Sequence, residues 1–242
     1  MRREYRRWYS HRLQREMELL IFGHAGAKVL MFPTRDGRFW EYEQLNVVNA
    51  LADKVTAGHL QLYCIEGLAR ETFYDRGRPP ADRIRRHAAF EDYILYEVLP
   101  LMAWMNGHDC TIAMGCSLGA FQAASLVFRH PHLFRKLAAF SGRYDLTLQV
   151  ENFGDLFDGY YGEDIYFHTP THFLPNLGCD WRLEKLRALD IVLTVGRDDP
   201  FLDNNVHLHR LLGEMNVRHQ LHVWDGRAHR GSAWRAMAAL YV

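Results

Sequence analysis

Short apolar runs alternate with polar, turn-rich stretches along the chain, and the first runs predict strands. Residues 3–9 and 16–22 both read as extended, the second ending in the unbroken apolar run Leu19-Leu20-Ile21-Phe22. Gly23-His24-Ala25-Gly26 then predicts a turn and residues 27–32 a third strand, together an antiparallel meander. The four arginines near the start suit the solvated face of an edge strand, where charge guards against aggregation; a basic arm is the other reading. From Glu41 to Ala57, Leu45, Val48, Leu51, Ala52 and Val55 share one helical face, and Gly58 ends it. Residues 60–65 predict a strand. The polar stretch 67–87, with Pro79-Pro80 and six arginines, reads as a loop. Phe90, Ile94, Val98, Leu101 and Met105 form the stripe of a long helix, which Pro100 should kink.

Further strands are expected at 110–114, 136–140, 190–195 and 220–224. Helices are expected at 120–128, around Leu208, Leu211, Leu212 and Met215, and from Ser232 onward. Strands first in succession and then alternating with helices predict an α/β fold. Its sheet has about eight mostly parallel strands, with helices on both faces, in a single domain over 1–242. Residues 143–189 form one long, aromatic-rich connection, carrying among others Phe153, Phe157, Tyr160, Tyr161 and Phe173. A connection of this length shapes a substrate pocket or covers the sheet with short helices of its own.

Candidate chemistry centres on Gly115-Cys116-Ser117-Leu118-Gly119. An apolar strand precedes it and a helix follows, the arrangement of the nucleophile elbow in α/β-hydrolases. A bare G-x-S-x-G arises by chance about 0.1 times in a chain of this length at ordinary glycine usage, so its context carries the weight. Such hydrolases follow the chain order serine, acid, histidine. Past the strand at 190–195 stands Gly196-Arg197-Asp198-Asp199-Pro200, where Asp199 is the favoured acid and Asp198 its competitor. Past the last strand stands Trp224-Asp225-Gly226, then His229, which can reach back over the sheet edge as the base. The amide of Leu118 is one expected oxyanion donor. After Phe32-Pro33 the second falls to Thr34 or Arg35, because proline has no N–H; Thr34 is preferred.

Charge and composition narrow the alternatives. The 29 basic and 29 acidic residues cancel, so no global field draws in nucleic acid or an anionic membrane. No apolar run approaches a membrane span, and no signal-peptide core follows the basic start. Cys64, Cys110, Cys116 and Cys179 lack metal or redox spacing and read as reduced thiols of a cytoplasmic protein. Cys116, beside the nucleophile, reads as a packing residue. The histidine pairs 130/132, 168/172 and 207/209 find no third ligand at familiar spacing, so no metal is expected. The arginines of 67–87 read as a solvated face, with a substrate-anion site as the alternative.

On Phe32-Pro33-Thr34, the Ser117 elbow, Gly196 to Pro200 and Trp224-Asp225-Gly226 with His229, nearly the whole chain resembles the esterase family of α/β-hydrolases. That group includes esterase D and S-formylglutathione hydrolase, feruloyl esterases and mycolyltransferases. The resemblance implies a serine hydrolase of carboxylic esters or thioesters, with Ser117 as nucleophile, Asp199 as acid and His229 as base. It implies a small-molecule ester substrate and no cofactor, and leaves the oligomeric state open. Members often have Asp-Trp straight after the histidine, whereas this chain has Arg230-Gly231 and its tryptophan only at 234, leaving His229 less firmly held. Acyl transfer by the same triad, and an inactive relative that binds a ligand or partner, are the alternative functions.

Overall fold

A computed structural model of the chain describes residues 1–178 and 181–242; Cys179 lies outside them. The strands are β1 (Arg3–Ser10), β2 (Arg15–Phe22), β3 (Ala27–Phe32), β4 (Leu60–Ile65), β5 (Thr111–Cys116), β6 (Lys136–Phe140), β7 (Asp190–Gly196) and β8 (Gln220–Trp224). They form one sheet in the order β1-β2-β4-β3-β5-β6-β7-β8. Both neighbours of β2 pair with it antiparallel, and every other pairing is parallel. Strands β4 and β5 are buried at every position, which is why they read as unbroken apolar runs and not as alternating ones. Edge strand β1 is largely exposed and β8 half-buried. On β1, Arg6 pairs with Glu4 and Arg7 with Glu16, the solvated edge its charges predicted.

Along β3, alternate residues serve opposite faces. Val29 and Met31 pack toward α1 (Glu41–Gln44), α2 (Val47–Ala50), α3 (Ala52–Thr56) and the C-terminal helix. Leu30 and Phe32 pack toward α4 (Pro80–Tyr93), α5 (Leu99–Met105) and α6 (Leu118–Arg129). The connection 143–189 carries α7 (Glu163–His168), α8 (Pro170–Phe173) and α9 (Trp181–Arg187); α10 (Leu202–Glu214) and α11 (Gly231–Tyr241) complete the layers.

Three expectations are corrected. The N-terminal strands are no meander, because β4 inserts beside β2 and sends β3 one place inward. A β3–helix–β4 crossover requires this, since a parallel partner must be reached through a helical layer. The helix at 41–57 breaks into three short pieces around Asn46, whose φ of 57° is left-handed. The expected loop at 67–87 ends early, because α4 starts at Pro80, where the missing N–H costs nothing. At Pro100, where a kink is expected, the helical run continues, and residues 94–98 just ahead of it widen into a π-helical turn, with Leu99 N–H bonded to the Ile94 carbonyl. The wider turn absorbs the donor that proline lacks.

Candidate active site

Strand β5 delivers Ser117 at the carboxyl edge of the sheet and α6 begins at the next residue. Ser117 sits at φ 57°, ψ −120°, a conformation that costs an L-residue energy and that the surrounding packing must enforce. Its N–H continues the ladder to the Phe140 carbonyl at 2.8 Å. Gly119 is required by contact: a Cβ there would stand 2.2 Å from the Phe32 carbonyl oxygen. The helix therefore lies directly against the end of β3.

Tyr42, a residue that nothing in the local sequence pattern distinguishes, joins those two strand ends. Its hydroxyl donates to the Phe32 carbonyl at 2.6 Å and accepts from the Cys116 N–H at 3.1 Å. Burial holds its phenol far above the ordinary range, so it stays neutral. Burial likewise pushes the Cys116 thiol up, which leaves it protonated and inert beside the serine.

The acid and histidine arrive from the next two strands. Asp199 follows β7 and is fully buried, with Oδ1 accepting from Phe201 N–H at 3.0 Å. Asp198 is exposed and turned away. His229 follows β8 on a loop that crosses Gly196 so closely that a Cβ there would meet the Arg227 carbonyl oxygen at 2.1 Å. Its Nδ1 lies 2.9 Å from Asp199 Oδ2 and its Nε2 3.0 Å from Ser117 Oγ. The carboxylate fixes the tautomer in which Nδ1–H donates and Nε2 accepts the serine proton. Trp234, from α11, packs edge-on against His229 with ring centroids 5.3 Å apart, and its Nε1–H donates to Ser141 Oγ at 3.3 Å. The ring absent after the histidine in sequence is thus supplied one helical turn later, and the expected looseness of His229 is corrected.

Thr34 also faces Ser117, but its N–H donates to Glu41 Oε2 at 2.7 Å and its hydroxyl to Oε1. Burial raises the Glu41 carboxyl above its usual range, partly offset by those two hydrogen bonds. The expected second oxyanion donor is therefore engaged. The Arg35 N–H has no hydrogen-bond partner among the described residues. The Leu118 N–H, at the first position of α6, has no carbonyl within its own helix to bond.

These groups open on a cavity of about 230 Å³ walled by Tyr74, Phe153, Phe201 and Trp234, with Arg35 and Arg143 among its polar groups. The aromatics of 143–189 divide: Phe153 lines this cavity, Phe157 and Phe173 are buried in the core, and Tyr160 and Tyr161 are exposed. The arginines of 67–87 are largely ion-paired: Arg70 with Asp36, Arg76 and Arg83 with Asp158, Arg86 with Glu71. His168 contacts Glu91 at 3.1 Å and His172 contacts Asp145 at 2.9 Å. A larger hollow of about 480 Å³ sits at Phe128 to His130, the far end of α6 from Ser117. Twelve helical residues span roughly 18 Å, so it is remote from the serine.

No helix of the described residues is long and apolar enough to cross a membrane. No curated protein matches the sequence. In fold the chain is similar to a ferulic acid esterase, at 16% identity over 99% of this chain and 96% of that one, with a TM-score of 0.74. It is also similar to the S-formylglutathione hydrolase of Staphylococcus aureus, at 12% identity, 98% and 94% coverage and a TM-score of 0.69. The enterobactin esterase of Shigella flexneri shares 21% identity over 99% of this chain and 57% of that one, with a TM-score of 0.67. Identities this low establish a shared fold and nothing finer. A family model described as "Putative esterase" matches residues 61–237, well over half of the sequence and inclusive of Ser117, Asp199 and His229. The chain belongs to that esterase family, and its sheet is that of an α/β-hydrolase.

Proposed function

We propose that this protein hydrolyses small carboxylic esters or thioesters through an acyl-serine intermediate, with Ser117 as nucleophile, His229 as base and Asp199 as its orienting acid. The carrying observation is the single imidazole that bridges serine and buried carboxylate at 3.0 and 2.9 Å. In the first step Ser117 Oγ attacks the carbonyl carbon while His229 Nε2 takes its proton. Asp199 stabilises the imidazolium that forms, and the proton then passes to the departing alcohol or thiol. A water molecule, deprotonated by the same imidazole, returns the acyl group as acid and frees the serine. The developing oxyanion is held by the amide of Leu118 and, in place of Thr34, that of Arg35. An alcohol in place of water would make the same triad an acyltransferase. The reading also assigns one catalytic domain over 1–242 and a reducing, cytoplasmic setting for its buried thiols.

Turnover of a short-chain 4-nitrophenyl ester series by the wild type and by Ser117→Ala tests this. The wild type is expected to hydrolyse the short members and the variant to fall to the uncatalysed background. Equal inactivity of the two, with both folded, would favour a ligand-binding relative. Activity that survives in the variant would remove Ser117 as nucleophile.

A further inference from the structure

Arg143 follows β6 and lines the same cavity as Ser117 and His229, yet only 4% of it is exposed. The other ionisable groups of that wall each have a direct partner. Asp199 faces His229, and Asp36 takes both Arg35 and Arg70. Arg143 has no carboxylate within ion-pair distance among the described residues. The hydrogen bonds of the nearest acids go elsewhere, Asp145 to His172 and Thr147, Asp155 to the amides of Phe157 and Gly159, so they act on Arg143 only through space. Its Nε and Nη2 donate to the carbonyls of Asp145, Leu146, Leu148 and Gly154. Those bonds satisfy donors, while Asp145 and Asp155 offset the charge only at a distance, without a direct ion pair. Nη1 has no hydrogen-bond partner among the described residues and is not sealed from solvent. The guanidinium lies over Phe201 at 5.8 Å, and the Phe201 ring lies 5.8 Å from that of His229, so one ring separates cation from base.

A buried, unpaired cation is expensive unless something compensates it. Holding the 145–154 loop explains Nε and Nη2, but it explains neither the free Nη1 nor its place on the wall of the reactive cavity. A charged donor in that position recognises a carboxylate by a charge-assisted hydrogen bond.

Resting on the esterase reading above, we propose that Arg143 is the specificity-determining cation of this site and that the preferred substrates are esters carrying a carboxylate close to the scissile carbonyl. The aromatic walls take the carbon skeleton, and Nη1 takes one carboxylate oxygen.

Two ester pairs test the two sides of the scissile bond. 4-Nitrophenyl hydrogen succinate against 4-nitrophenyl valerate places the charge on the acyl side. 4-Acetoxybenzoate against its methyl ester places it on the alcohol side. In at least one pair, the ratio of kcat/KM for the charged over the neutral ester is expected to fall at least tenfold in Arg143→Gln, about 1.4 kcal/mol. Arg143→Lys is expected to recover part of it. A ratio unchanged by Arg143→Gln in both pairs overturns the proposal, because loop damage alone would slow both members together. Calorimetric titration of Ser117→Ala protein with the same esters needs no turnover. Tighter binding of a charged member that is lost when Arg143→Gln is added sustains the proposal even if the wild type proves catalytically silent; binding preference unaffected by Arg143→Gln, or none at all, together with unchanged ratios ends it. Loss of activity toward neutral and charged esters alike in the wild type, by contrast, counts against the esterase reading.

Discussion

Replacing Tyr42 by phenylalanine isolates the hydroxyl that links the two strand ends at the reactive edge. In the native fold that oxygen donates to the Phe32 carbonyl and accepts from the Cys116 N–H, both deeply buried. Phenylalanine keeps the ring and its packing against α2 and α11, so no large cavity term enters. What remains is one backbone N–H and one C=O deprived of a partner. An orphaned buried donor costs about 1–3 kcal/mol and a carbonyl, with its second lone pair, somewhat less. The expected destabilisation is thus about 2–4 kcal/mol, or roughly 4–16 °C in Tm for a chain of this size. Urea unfolding of both proteins measures it. The catalytic consequence is separate: Cys116 precedes Ser117, the proposed nucleophile, and Phe32 precedes the loop that carries Thr34 and Arg35. Slack between the strands should misplace both oxyanion donors, lowering kcat about tenfold with little change in KM. A stability loss below about 0.5 kcal/mol, within the range of an ordinary surface change, would refute the bridging role. A full stability loss with unaltered kcat would refute its link to catalysis.

Asp199→Asn should keep the fold but lower kcat about a thousandfold or more, because the amide no longer enforces the Nδ1–H tautomer of His229; a fall under tenfold, with circular dichroism unchanged, would shift the acid to another residue. Trp234→Ala should lose more kcat than Trp234→Phe, since edge-on ring contacts contribute about 0.5–1.5 kcal/mol and only the alanine variant removes the ring beside His229; identical kcat in the two variants would show the contact to be incidental. His130 supplies a pH test. Burial, then the charge of Arg129, pushes its imidazole from 6.5 down to about 4 in the fold, so between these values the unfolded chain binds the extra proton. Stability from this group is complete above about pH 6.5 and declines as pH falls toward 4. His130→Gln should flatten that part of the acid-stability profile, and an unchanged slope would count against it.

Local pattern and chain order made much of this protein legible in its sequence. The buried strands announce themselves as apolar runs, because a parallel sheet covered on both faces tolerates little else. The Ser117 elbow is legible because a turn that tight needs small residues at fixed offsets, and the proposed acid and base, Asp199 and His229, are legible because each sits just past a strand end. Which way a side chain points, and what it meets there, is set by contacts remote in sequence. Asp199 and not Asp198 turns inward because the Asp199 carboxylate finds both the Phe201 N–H and His229. Thr34 gives its amide to Glu41, a contact made only once α1 folds back over the end of β3. Trp234 reaches His229 because α11 brings it there, so a motif that looks broken in sequence is completed in space. Strand order escaped for the same reason: a four-residue turn between β2 and β3 suits a hairpin, and only packing against α1 to α3 makes β4 the better neighbour for both. The sequence by itself determined the strands and the candidate reactive groups, since these depend on periodicity and steric need within a few residues. Tertiary structure alone decided the strand order, the hydrogen-bond partners and the unpaired charge of Arg143, since those depend on which distant segments share the same space.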